Sequence, residues 1–206
     1  MHTKIIPSKS ANIPDIVLFY QASSPFSNFH FAEFSTNYGT NFTKMIKYSC
    51  SEQYFMHQKA LFAGDIQAAQ EVLGKTNPGQ MKKVGRSLKM DKNMLKNWNV
   101  KSFEVMHRAC YEKFAQNFEL RLFLFRTHGM KLAEAAPNDH IWGIGLDMND
   151  DRAEDPDNWR GENRLGKVLE QIRTQMWDMD LYSEDRRIVE GEDQKRRIWN
   201  LRQFAG

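Results

Sequence analysis

Glu52 and Lys59 stand seven residues apart in the stretch Ser51-Glu-Gln-Tyr-Phe-Met-His-Gln-Lys-Ala-Leu-Phe62. A carboxylate can carry a proton, and a neutral amine can attack an electron-poor carbon, so the two types together suit covalent acid–base chemistry. The stretch holds no Pro or Gly before Gly64, and Ser51 is a good N-cap, which predicts a helix from there. Seven residues make nearly two turns, so both side chains share a face, with Cα atoms roughly 10 Å apart. A small ring fits between groups held that way. Phe55, Met56 and Phe62 lie on the same face and would bury it. An acid and an amine on a partly buried face are either a structural ion pair or a chemical pair, and this stretch alone leaves both open.

The elements that must position this pair read as follows. Residues 1–14 are polar with two prolines and read as a loose arm, and residues 16–20 (Ile-Val-Leu-Phe-Tyr) as a short buried strand. Ser23 to Phe29 is turn chemistry studded with aromatics, where Phe26 and Phe29 either anchor the core or offer a stacking surface. Two more strands are expected over 31–34 and 40–48, joined by a hairpin-type connection over 37–40. Beyond the Ser51 helix the pattern stays helical. Asp65 caps a helix that Gly74 ends, and Asn77-Pro78 opens another running to Gly85-Arg86. Trp98 is expected in a break between helices. Residues 100–118 form a long amphipathic helix through Phe103, Met106, Cys110 and Phe114, and 120–126 continue helically. Residues 131–136 suggest a strand returning to the sheet. Asn163 can N-cap a helix reaching 179, and 183–204 form a charged helical tail that either docks or projects. The expected fold class is therefore α+β and mainly α-helical, one compact domain with a small β-sheet. The arm covers 1–15, the domain 16–179 and the tail 180–206.

The 206 residues, 41% apolar and 12% aromatic, suit one globular domain. No apolar run approaches the ~18 residues of a transmembrane helix, so no membrane partner is expected. The first residues lack the apolar core of a signal peptide, which points to an intracellular protein, cytoplasmic or nuclear. Cys50 and Cys110 are the only cysteines, in no CxxC pattern. They read as reduced thiols, with neither a zinc site nor a disulfide scaffold. No metal or cofactor is called for, and a monomer is favoured over an oligomer. The first hundred residues carry six surplus positive charges and the rest three surplus negative ones. The surplus gathers between Lys75 and Lys101, where Lys82, Lys83, Arg86, Lys89, Lys92 and Lys96 also lie and face only Asp91. Such a run is either a phosphate-attracting surface or a solvated helix face.

Two glycine-rich loops add candidates. In the segment from Glu134 to Gly145, Asp139 and Glu134 are carboxylates, and Trp142 could stack a flat base, as could Trp98. Gly143 and Gly145 would let a ligand approach the backbone. His140 is a lone loop histidine and more often incidental. Residues 147–160 read as an acidic surface loop. In Gly161-Glu-Asn-Arg-Leu-Gly166, exposed amides around Asn163 and Gly166 would suit a phosphate.

Six motifs occur in order: Ser27-Asn28-Phe29, Ser51-Glu52-x-Tyr54-Phe-x-x-x-Lys59, Gly85-Arg86, Trp98, Asn138-Asp139-x-x-Trp142-Gly143, and Gly161-x-Asn163-x-Leu-Gly166. Together they resemble the NADAR, or YbiA-like, family over residues 16–179. The resemblance implies N-glycosidase chemistry on one of two substrate classes. These are ribosylated intermediates of riboflavin biosynthesis and ADP-ribose attached to guanine in nucleic acid. In the second branch a lysine forms a Schiff base with the ribose, and by motif position that lysine is Lys59. Glu52, Asp139 and Trp98 fall at functional positions of the family. The resemblance thus names Lys59, Glu52 and Asp139 as catalytic. With the residue chemistry above, the candidate substrate contacts are Asn28, Phe29, Tyr54, Arg86, Trp98, Glu134, Trp142, Gly143, Gly145, Asn163 and Gly166, of which Glu134 and Gly145 lie outside the six motifs, and no metal is implied. The basic run favours an ADP-ribosylated nucleic acid or nucleotide as the partner. The alternatives are the riboflavin intermediates and a non-catalytic ADP-ribose-binding module, against which the presence of both Glu52 and Lys59 speaks.

Overall fold

A computed structural model describes residues 3–7, 14–37 and 44–203. The chain forms two compact units, each packed mainly on itself: residues 1–27 with 118–206, and residues 28–117. The second is inserted into the first in sequence.

The inserted unit is built on helix α1 (Ser51–Phe62). Nine of its twelve residues are buried, polar Gln53 and Gln58 among them. It is therefore not a one-faced surface helix but the centre of its unit. Helices α2 (Ile66–Leu73), α3 (Pro78–Ser87) and α4 (Lys92–Gln116) pack against it. The caps follow sequence chemistry. Asp65 accepts from the Ala68 amide at 2.9 Å, and Asn77 accepts from the Gly79 amide at 2.8 Å with Pro78 at the first position. Trp98 does not lie in a break. Asp91 accepts from the Met94 amide at 2.8 Å and starts one continuous helix of 25 residues that carries Trp98 inside it. Strands β3 (Phe34–Thr36) and β4 (Ile46–Tyr48) pair antiparallel as a separate two-stranded sheet. The first of them begins three residues later than expected. The connection read over 37–40 lies, from residue 38, outside the described residues.

In the other unit, residues 3–6 are no loose arm. Strand β1 (Thr3–Ile6) pairs antiparallel with β2 (Ile16–Phe19), because Ile5 and Ile6 are buried there. Strand β5 (Lys131–Glu134) pairs parallel to β2 on its other edge. Helix α5 (Phe118–Arg126) ends before Gly129, whose φ of +84° suits glycine. Helix α6 (Arg164–Trp177) packs on β5. Residues 147–160 hold two short 3-10 turns, and Ala153 inside them is buried in a cluster with Leu18, Ile144 and Leu146. The tail forms α7 (Ser183–Glu190) and α8 (Gln194–Gln203), both docked on α5. Arg121 Nε meets Asp185 Oδ2 at 2.5 Å, and Arg126 grips Glu192 with two nitrogens. Val189 and Leu201 are buried beneath. The fold is α+β and mainly helical, as the sequence predicts.

Candidate active site

The start of α1 is organised differently from a Ser51 cap. Cys50 is the N-cap residue, without a side-chain capping hydrogen bond, and Ser51 is the first helical residue, fully buried. Two other groups take over the capping work. The Asn28 carbonyl accepts from the Glu52 amide at 3.1 Å, and Gln53 Oε1 accepts from the Ser49 amide at 2.8 Å. The Asn28 side chain accepts in turn from the Cys110 thiol at 3.7 Å. Asn28 thus fastens its own loop to the helix turn that carries Glu52.

Two turns further on, Lys59 Nζ donates to the Gly85 carbonyl of α3 at 2.7 Å. Lys59 is half-buried, and Glu52 is only 3% exposed. Burial pushes the Lys59 amine below the usual lysine range, the Arg86 guanidinium pushes it the same way, and the Glu52 charge opposes both. A lowered amine is neutral more often near pH 7, which is the form that attacks carbon. Arg86 is exposed beside Gly85. Glu52, Lys59 and Arg86 therefore form one electrostatic group. Trp98 packs its ring against Phe55 at 5.2 Å and Phe62 at 5.5 Å, and is buried. Tyr54 is fully buried against Phe34 and Tyr48. Both rings are core members of this unit. Phe29 is half-buried, with Lys82 Nζ 5.7 Å from its ring centre.

In the other unit, Asp139 Oδ1 accepts from the amides of Ile141 at 3.1 Å and Trp142 at 2.8 Å. It builds the turn that presents the half-buried Trp142. The expected exposed amides at the start of α6 are not found. The amides of Asn163, Arg164 and Leu165 donate to the carbonyls of Gly143, Ile141 and Trp142, each at 3.1 Å. Asn163 adopts φ +52°, and its side chain clamps β5. Its Oδ1 accepts from the Glu134 amide at 3.1 Å, and its Nδ2 donates to the Leu132 carbonyl at 2.8 Å. The glycines serve this interlock. A Cβ on Gly166 would stand 2.0 Å from the Leu132 carbonyl oxygen, and one on Gly143 would stand 2.9 Å from that of Glu134. Gly145 at φ +69° lies against His140, whose ring nitrogen meets the Arg160 carbonyl at 3.1 Å. The close approaches that these glycines permit are to the protein's own backbone and side chains. For Gly166 the partner is Leu132 of β5, which sequence alone does not place beside it.

The NADAR domain profile matches residues 18–177. The chain belongs to the NADAR family. It is 47% identical to Protein irg-1 of Caenorhabditis elegans over 212 residues, covering all of both chains. It is 31% identical over 163 residues to an N-glycosidase of Acanthamoeba polyphaga mimivirus, covering 76% of this chain and 94% of that one. The NMR structure of the Escherichia coli protein YbiA matches with a TM-score of 0.60 at 31% identity, covering 78% of this chain and 84% of that one.

This NADAR chain also carries buried polar groups that sequence reasoning missed. Lys113 is 1% exposed, and burial pushes its amine down to about 8, with Cys110 and Cys50 nearby opposing the shift. Its sequence signal is a lysine on the apolar stripe of α4, between Cys110 and Phe114. Tyr48 Oη and His57 Nδ1 lie 2.9 Å apart, both buried, and burial holds His57 down to about 4. Among the described residues no group of three or more His, Cys, Asp or Glu could hold a metal ion, and no helix is long and apolar enough to cross a membrane.

Proposed function

We propose that this NADAR chain is an N-glycosidase that removes ADP-ribose from guanine in nucleic acid, with Lys59 as nucleophile. The observation that carries the reading is the state of Lys59: half-buried, shifted toward the neutral amine, and held at 2.7 Å on the Gly85 carbonyl. The relatives named as N-glycosidases support the reaction class.

Cleaving the bond from the anomeric carbon to the base nitrogen builds an oxocarbenium-like centre and leaves a nitrogen that needs a proton. Glu52, buried two turns before Lys59 on α1, is the carboxyl group that carries that proton. The C–N bond to guanine breaks, and the Lys59 lone pair forms a new C–N bond at the same carbon. The added amine loses a proton, the ring oxygen leaves the carbon and takes one, and an open-chain imine stands on Lys59. Water adds to the imine and frees the amine, so the net reaction consumes one water. Asp139, in the other unit, has one oxygen engaged by two amides and holds the turn that carries Trp142. Arg86 offers its fork to the pyrophosphate. Arg86 and the lysines at 83, 89, 92 and 96 are exposed, as a polyanion contact requires.

The deciding assay compares release of guanine from an ADP-ribosylated oligonucleotide with cleavage of ribosylated pyrimidine intermediates of riboflavin biosynthesis. Faster turnover of the oligonucleotide supports the reading. Turnover of the pyrimidine alone overturns the substrate, and turnover of neither overturns the enzyme.

A further inference from the structure

We propose that Gly85 is the positioning residue for Lys59, its carbonyl aiming the amine and its missing side chain letting α3 come close enough to do so. The inference rests on the reading of Lys59 as nucleophile. Gly85 lies in the last turn of α3, where carbonyls lack an intrahelical donor and carry the negative end of the helix dipole. Lys59 supplies the donor at 2.7 Å. The backbone at Gly85 has no positive φ, so space and not conformation calls for glycine. A Cβ there would stand 2.1 Å from Met56 Sδ and 3.2 Å from Met56 Cγ. Met56 is buried, one turn before Lys59 on α1. Met56 therefore sits against the bare Cα of the residue whose oxygen holds Lys59. A methyl group at 85 has to turn the thioether into packed neighbours or lift α3, and a lifted α3 takes the carbonyl out of its place.

The test uses the full chain and three variants: Gly85→Ala, Met56→Ala and the double variant. A displaced nucleophile costs about tenfold to a hundredfold in rate. Gly85→Ala is expected to lower kcat by that factor with a smaller change in KM. A carbonyl accepting from the ammonium favours the charged amine, so its loss shifts the rising limb of the pH profile to lower pH. The charges bearing on the same amine, Glu52 of α1 and Arg86 of α3, are unchanged in all three variants. In the double variant the contacts with Met56 Sδ and Cγ are gone and Met56 Cβ lies at 3.6 Å, an ordinary contact. The double variant is therefore expected to regain most of the rate and the original limb. A second readout needs no substrate. Reductive methylation of Lys59 with formaldehyde and cyanoborohydride, mapped by peptide mass against pH, should show the same shift and the same rescue. Unchanged kcat and labelling midpoint in Gly85→Ala, or a double variant no better than the single one in rate or folding, overturns the proposal. Should Lys59→Ala keep full activity, the nucleophile reading falls alone, because the labelling midpoint still reports whether Gly85 positions the amine.

Discussion

Replacing Lys113 by methionine tests how the interior of the α1 unit treats charge. The side chain is 1% exposed, and burial holds its amine at about 8, against an ordinary value of 10.5 in the unfolded chain. Below pH 8 the amine is charged in both states, and keeping that charge inside costs about 3 kcal/mol, at 1.36 kcal/mol for each tenfold change in proton affinity. Between pH 8 and 10.5 the unfolded chain binds the proton and the folded chain does not, so stability rises with pH across that window. From pH 7 to pH 9 the gain is about 1.4 kcal/mol, a tenfold change in the folding constant. Methionine has similar volume and no titration, so Lys113→Met loses this gain. The assay is urea unfolding of both proteins at pH 7, 8 and 9, followed by circular dichroism. The stability difference between them should move by about 1.4 kcal/mol in favour of the natural protein as the pH rises. Parallel pH dependences would falsify a desolvated amine at 113.

Three further outcomes follow from the same geometry. Trp98→Ala should cost roughly 3–5 kcal/mol of stability, because its ring is buried against Phe55 and Phe62; thermal unfolding measures this, and an unchanged Tm would make Trp98 a surface residue. Asn163→Ala removes both hydrogen bonds to β5 and should lower stability by about 2 kcal/mol, at about 1 kcal/mol per bond; denaturant midpoints decide, and a neutral substitution would mean that the clamp is idle. Arg86→Gln removes a charge that lowers the Lys59 amine, so the rising limb of activity should move to higher pH; a pH–rate profile showing no movement or a downward one contradicts the electrostatic group at Lys59.

What the sequence made legible was local chemistry. Asp65, Asn77 and Pro78 mark helix starts because capping acts within three residues, and the structure places the caps where those residues stand. The Glu52–Lys59 spacing was legible for the same reason. Trp98 was misplaced because Asn93, Asn97 and Asn99 weaken helix propensity around it, while packing on α1 outweighs that weakness. The strand over 3–6 was hidden because four residues gain their stability from pairing with β2. At the start of α6, the amides look available from sequence alone. Their acceptors at 141–143 lie some twenty residues upstream and become visible only once the loops interlock. Gly85 shows the same limit: its reason is Met56, which is 29 residues away in the chain.

Trapping on Lys59 tests the central claim most directly. The protein is mixed with an oligonucleotide carrying ADP-ribosylated guanine, quenched with borohydride during turnover, digested and mapped by mass. The account predicts a reduced ADP-ribose adduct on Lys59, absent without borohydride and absent in Lys59→Ala. Release of guanine with no adduct on Lys59, and undiminished in Lys59→Ala, would contradict it.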